Sequence, residues 1–130
     1  MKRSFYAMLS LLFVLFAGCG NEDDSSSLIG TWTAQDYRLT EAYQYTRDAR
    51  FVLNIISNTQ AKLAITIITN LNGEETEEPI IRNYTYEYNP PLLTLTNNDS
   101  GGITTGTVYS DNLLELNLGS FYGGTVKFTK

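Results

Sequence analysis

The side chains able to do covalent or acid–base chemistry in this sequence are few in kind. Histidine is absent, and the only cysteine is Cys19. Without histidine, Ser–His–Asp and Cys–His relays cannot be assembled, and the usual zinc sites go with them. Carboxylates are plentiful, fourteen Asp and Glu against nine Lys and Arg. Two carboxylates held roughly 5–10 Å apart across a bond are the machinery of glycoside hydrolysis. Asp36, Glu41, Glu87 and Glu115 are the candidates for such a pair. Each falls in a loop or at the polar position of an alternating stretch, where a solvated carboxylate is the ordinary state. No Gly-rich loop follows a strand and opens a helix, which speaks against nucleotide chemistry. The expectation is a protein that is not an enzyme.

Two oxygen-rich segments raise the question of calcium, which favours clustered oxygen ligands. Glu74-Glu75-Thr76-Glu77-Glu78 comes directly after Asn72-Gly73 and reads as a solvated turn. Asn97-Asn98-Asp99-Ser100-Gly101-Gly102 fits a hairpin turn. No metal is expected at either.

The amino terminus has a different organisation. Lys2 and Arg3 precede an uncharged apolar run from Phe5 to Phe16, and Ala17-Gly18 supplies small residues after it. That is the layout of a secretory signal peptide over residues 1–18, and the run is short of the roughly 20 residues that span a bilayer. Phe16-Ala17-Gly18-Cys19 resembles the lipobox of bacterial lipoproteins. The resemblance implies cleavage before Cys19 and a thioether lipid on its sulfur, with acyl chains of the palmitate class. Two anchoring signals give stable attachment, so the implied partner is a membrane held through the lipid, with no other cofactor.

Loss of Lys2 and Arg3 with the leader takes nine basic residues to seven against fourteen acidic, a net charge of −7. Such a surface repels phosphate backbones, so no nucleic acid is expected. Residues 19–27 carry the lipid and a polar, acidic tether with too little apolar surface to fold. Within it, Glu22-Asp23-Asp24 resembles the surface-export signal of lipoproteins in some glycan-degrading Gram-negative bacteria. Gly20 stands where other lipoproteins carry the aspartate linked to inner-membrane retention. The expected location is the outer membrane, on the cell surface.

Positioning falls to residues 28–130, one all-β domain. β-branched and aromatic residues crowd this stretch without a helical period. Eight strands are predicted, at 31–40, 50–57, 61–70, 80–89, 92–97, 103–109, 113–118 and 125–129. Asn, Asp, Gly and Pro mark the reversals between them, and residues 40–49 read as a loop or one helical turn. Leu114, Leu116 and Leu118 share one strand face, as do Val126 and Phe128. Tyr84, Tyr86 and Tyr88 form a stripe at period two.

Leu28-Ile29-Gly30-Thr31-Trp32 resembles the Gly-x-Trp opening of lipocalin-like proteins. That resemblance implies an eight-stranded antiparallel up-and-down barrel, with a β-sandwich as the rival architecture. It also implies that Trp32 plugs one end beneath a cation from the last strand, Lys130 or Lys127. Such barrels hold a small apolar or amphipathic ligand, with Phe51, Leu53, Leu116 and Phe128 pointing inward and tyrosines lining the mouth. The alternative is a barrel filled with side chains, acting as a structural or interaction subunit of an envelope complex. In that case Tyr84, Tyr86 and Tyr88 are candidate partner contacts, since tyrosine is enriched at interfaces.

Overall fold

Apolar residues at alternate positions become the inner wall of a closed sheet. The computed structural model describes residues 27–119, 122 and 124–130. The expected signal peptide, the expected lipidation site Cys19 and the expected tether through Ser26 lie outside the described residues. The strands are β1 (Gly30–Thr33), β2 (Tyr37–Ala42), β3 (Tyr45–Ile55), β4 (Gln60–Leu71), β5 (Glu74–Asn89), β6 (Leu92–Asn97), β7 (Ile103–Ser110), β8 (Leu113–Asn117) and β9 (Thr125–Thr129). Every pairing is antiparallel, and from β3 to β9 each strand pairs with the next. β1 closes the ring by pairing with both β9 and β3, giving an eight-stranded up-and-down barrel. A barrel leaves few open edges, which is what a meander of this length gains by closing.

The first strand is expected over 31–40 but is broken into β1 and β2. Both pieces pair with β3, and the break is an inserted residue. Thr33 faces Val52 and Tyr37 faces Ala49, so four steps on one side meet three on the other. The insertion resets the alternation so that Trp32, Ala34 and Tyr37 all reach the core. A second irregularity between Arg38 and Thr40 does the same for Leu39.

Residues 40–49, expected to loop, instead form the β2–β3 hairpin around Tyr43-Gln44. The glutamate run, expected to be a turn, is the start of β5. Asn72 and Gly73 at φ 54° and 85° reverse the chain within two residues, as their types favour in tight hairpins. Leu71 already faces Glu74, and the pairing continues to Gln60 opposite Thr85. Register with β4 overrides the weak strand preference of glutamate.

β5 pairs with β6 only from Tyr84 onward. The upper parts of β3, β4 and β5, with β2, therefore extend past the rungs of the other strands as a four-stranded blade. In β4, at its centre, Ile67 and Ile68 point to opposite faces and are both buried. Above Arg82, β5 has no ladder partner on its β6 side among the described residues. That edge carries Pro79 and glutamates at 74, 75, 77 and 78, residues that block edge-to-edge pairing.

The core is continuous through the barrel. Trp32, Phe51, Leu53, Leu63, Ile65, Leu114, Leu116, Val126 and Phe128 have no exposed surface, and no polar or charged residue is buried among those described. Each large apolar side chain so placed stabilises the fold by roughly 1.5–3 kcal/mol before entropy is counted. Phe51 sits at the aromatic centre, edge-on to Tyr37, Tyr122 and Phe128 at 5.9, 6.1 and 6.3 Å.

Candidate functional site

The two ends of the barrel differ, and each is built by a specific side chain. At the floor, where β1 begins and β9 ends, the backbone turns inward at Leu28 and Trp32 is fully buried. Its indole N–H donates to the Leu28 carbonyl at 2.9 Å, which ties the entering strap to the plug. The Lys130 ammonium lies 5.1 Å from the centre of the indole ring. It also donates to the carbonyls of Ser27 and Ile29 at 2.6 and 3.2 Å. The lysine stem crosses Gly30: a Cβ there would lie 3.4 Å from Lys130 Cδ, and Gly30 has φ 143°. Gly30, Trp32 and Lys130 thus meet at one place. Lys127, the other cation considered, points outward to Glu115 at 4.0 Å.

At the rim, Tyr122 from the segment between β8 and β9 lies over Phe51 and is 7% exposed. Arg82 reaches it from β5. The guanidinium stands 5.4 Å from the Tyr122 ring centre and donates to its hydroxyl at 3.3 Å. Composition and alternation do not single out Arg82. The available signal is its position, between Ile80 and Tyr84 on the inward face of a strand.

The tyrosine stripe faces the interior. Tyr84 and Tyr86 are 2% and 3% exposed, and Tyr88 is half-buried against the core. Tyr84 and Tyr86 are therefore parts of the core and do not form an outer contact surface. Tyr86 donates to the Ser57 carbonyl at 2.7 Å, and burial raises its pKa above 10.0. Among the described residues, the strongly exposed tyrosines are Tyr43 and Tyr109. Tyr109 donates to Glu115 at 2.8 Å, and that bond is the main cause of its raised pKa. Tyr43 projects at 92% exposure from the blade tip. There the Asn72 N–H donates to the Gln44 carbonyl at 2.8 Å and joins the two turns. Leu71 is 52% exposed beside them.

The candidate carboxylates are not brought together as a pair. Asp36 accepts from Arg50 at 3.3 and 3.4 Å, and this bond is the first cause of the raised Arg50 pKa. Glu41 and Asp48 both flank Arg38. Glu115 takes Tyr109 and Lys127, and Glu87 lies on the exposed outer face of β5. Glutamates 74 to 78 are spread along a strand, on alternating faces.

The recesses described on the surface are open ones, between β7, β8 and β9, around the β6–β7 turn, and between β1 and β9. No protein-family model, no curated protein and no solved structure matches this chain.

Proposed function

We propose that this chain is a lipid-anchored outer-membrane protein, facing the cell surface, whose barrel is a solid and non-catalytic platform. The anchor is the lipid on Cys19, and the acidic tether separates it from the domain. The platform presents its rim and blade to an envelope protein. What carries this reading is the filling of the barrel: Trp32 closes the floor, Tyr122 covers the rim, and side chains with 0–3% exposure occupy the space between them. An apolar ligand inside would have to displace side chains that already make dense contacts. The blade tip supports the outward reading, because Tyr43 and Leu71 stay exposed on a turn pair that is tied together.

Native mass spectrometry of the full-length protein, extracted gently in detergent from its own host, tests both parts. The expected species is the chain from Cys19 plus acyl chains, with no apolar molecule held inside the barrel. A discrete apolar molecule that the Arg82→Gln protein also retains would favour the internal-ligand alternative and overturn the solid barrel. Cys19→Ser is expected to move the protein out of the membrane fraction.

A further inference from the structure

Where β5 climbs past the end of β6, a recess of about 310 Å³ opens between β5 and the β6–β7 turn. Arg82, Tyr84, Asn97, Ser100 and Thr104 line it. Its volume lies at the lower end for small-molecule sites. Two of its groups lack the partners that their environment demands. Arg82 is half-buried in a chain of net charge −5. Yet the ion pairs among the described residues use Arg38, Arg50 and Lys127 and leave Arg82 without a carboxylate. Its recorded contacts are the ring and hydroxyl of Tyr122. Tyr84 is 98% buried, by its 2% exposure, and its hydroxyl makes no hydrogen bond among the described residues. Folded proteins pair buried polar groups because an orphan forfeits its hydration without gaining a partner.

We infer that this recess is a binding site for a small molecule bearing a carboxylate. Arg82 supplies the charge-assisted donors and Tyr84 a neutral hydroxyl donor. The amide nitrogen of Asn97 is free to join them, since its Oδ1 is held by the N–H groups of Asp99 and Ser100 at 2.8 and 3.1 Å. A monoanion matches the single lining cation. A phosphate dianion would be left half-neutralised in an acidic protein, where repulsion opposes it. The carboxylate can belong to a free organic acid or to a sugar acid, and the two share this chemistry.

The test uses ¹⁵N-labelled full-length protein in detergent, following the Arg Nε–H signals while sodium acetate, sodium glucuronate, sodium phosphate or sodium chloride is added. Glucose serves as the uncharged control. Saturable shifts of one Arg signal with acetate or glucuronate, abolished in Arg82→Gln, are expected. Binding of acetate as strongly as glucuronate assigns a free acid, and preference for glucuronate assigns a sugar acid. Shifts that do not saturate, or that chloride or phosphate reproduces, overturn the inference.

Tyr84→Phe keeps the ring and removes only the orphan hydroxyl. It is expected to leave thermal stability without ligand equal or higher, and to weaken carboxylate binding about tenfold. A Tyr84→Phe protein that is less stable without ligand and binds equally well would also overturn it.

Discussion

The Lys130 ammonium sits over the indole of Trp32, with its charge 5.1 Å from the ring centre, while it bonds two carbonyls of the strap that leads into β1. One side chain thus covers the plug and pins the entering chain.

Removing that side chain separates these roles from simple packing. Lys130→Ala is expected to lower stability by about 1 kcal/mol, from a partly exposed cation–π contact and two surface hydrogen bonds. Trp32→Ala removes the plug itself, and a loss of about 3–5 kcal/mol is expected. Urea unfolding followed by circular dichroism measures both. A Lys130→Ala midpoint identical to that of the unaltered protein would show the latch to be idle.

Gly106 is held to glycine by contact. A Cβ there would lie 2.3 Å from the Glu115 carbonyl oxygen and 2.6 Å from Leu116 Cδ2. Overpacking of this kind costs about 1–3 kcal/mol, and backbone has less room to yield than a flexible side chain. Gly106→Ala should lower the melting temperature clearly. Gly101→Ala, with open space around it but φ 76°, is expected to cost less. Equal losses in the two would contradict the packing argument.

Gln44 occupies φ 60° at the blade tip without being glycine or asparagine. A left-handed conformation costs an ordinary L-residue roughly 1–2 kcal/mol. Gln44→Gly is therefore expected to stabilise the domain, or at least leave it unchanged after the added chain entropy is subtracted. A lowered urea midpoint would mean that the glutamine side chain contributes a contact of its own.

Tyr86 links stability to alkaline pH. Its folded pKa is raised above the 10.0 of an unperturbed phenol, because burial penalises the phenolate. The folded state thus holds this proton more tightly than the unfolded chain does. The associated stability is fully present below about pH 10. It is lost as the pH rises through the folded pKa. Absorbance titration at alkaline pH should show late phenol ionisation to which both Tyr86 and Tyr109 contribute, with Tyr86→Phe removing the Tyr86 part and leaving that of Tyr109.

The free edge of β5 is guarded by charge and by Pro79. Replacing Pro79, Glu75 and Glu77 together with valine should leave the fold intact and produce concentration-dependent association. Sedimentation velocity would detect it. A monomer at every concentration would show that the edge is covered in some other way.

Much of this architecture is legible in the chain, and the exceptions have physical causes. Leu114, Leu116, Val126 and Phe128 alternate against polar neighbours, and all four are buried as that pattern requires. The meeting of Gly30, Trp32 and a last-strand cation is what the resemblance to lipocalin-like openings implies, and it leaves the cation open between Lys130 and Lys127. The β2–β3 hairpin is not legible, because Tyr43-Gln44 lacks the residues that signal a reversal. Glutamates 74 to 78 look like loop, because their strand state comes from pairing with β4 and not from local preference. The tyrosine stripe shows its period but not its inward direction, since Ile81 on the opposite face is equally apolar and is 53% exposed. Arg82 escapes notice because one cation in a strand gains meaning only when its neighbours in space prove to hold no counter-charge.

The ring is shut along β1 and β9 by a single registered pair, Thr33 with Thr129. These strands stand almost a hundred residues apart in the chain, so of the strand pairings this is the one whose loop entropy is largest. During synthesis or export from the amino terminus, the sheet stays an open ribbon until Lys130 arrives. A seam of one rung that needs both ends of the domain at hand is expected to close late and to open readily, which hydrogen exchange at Thr33 and Thr129 would read.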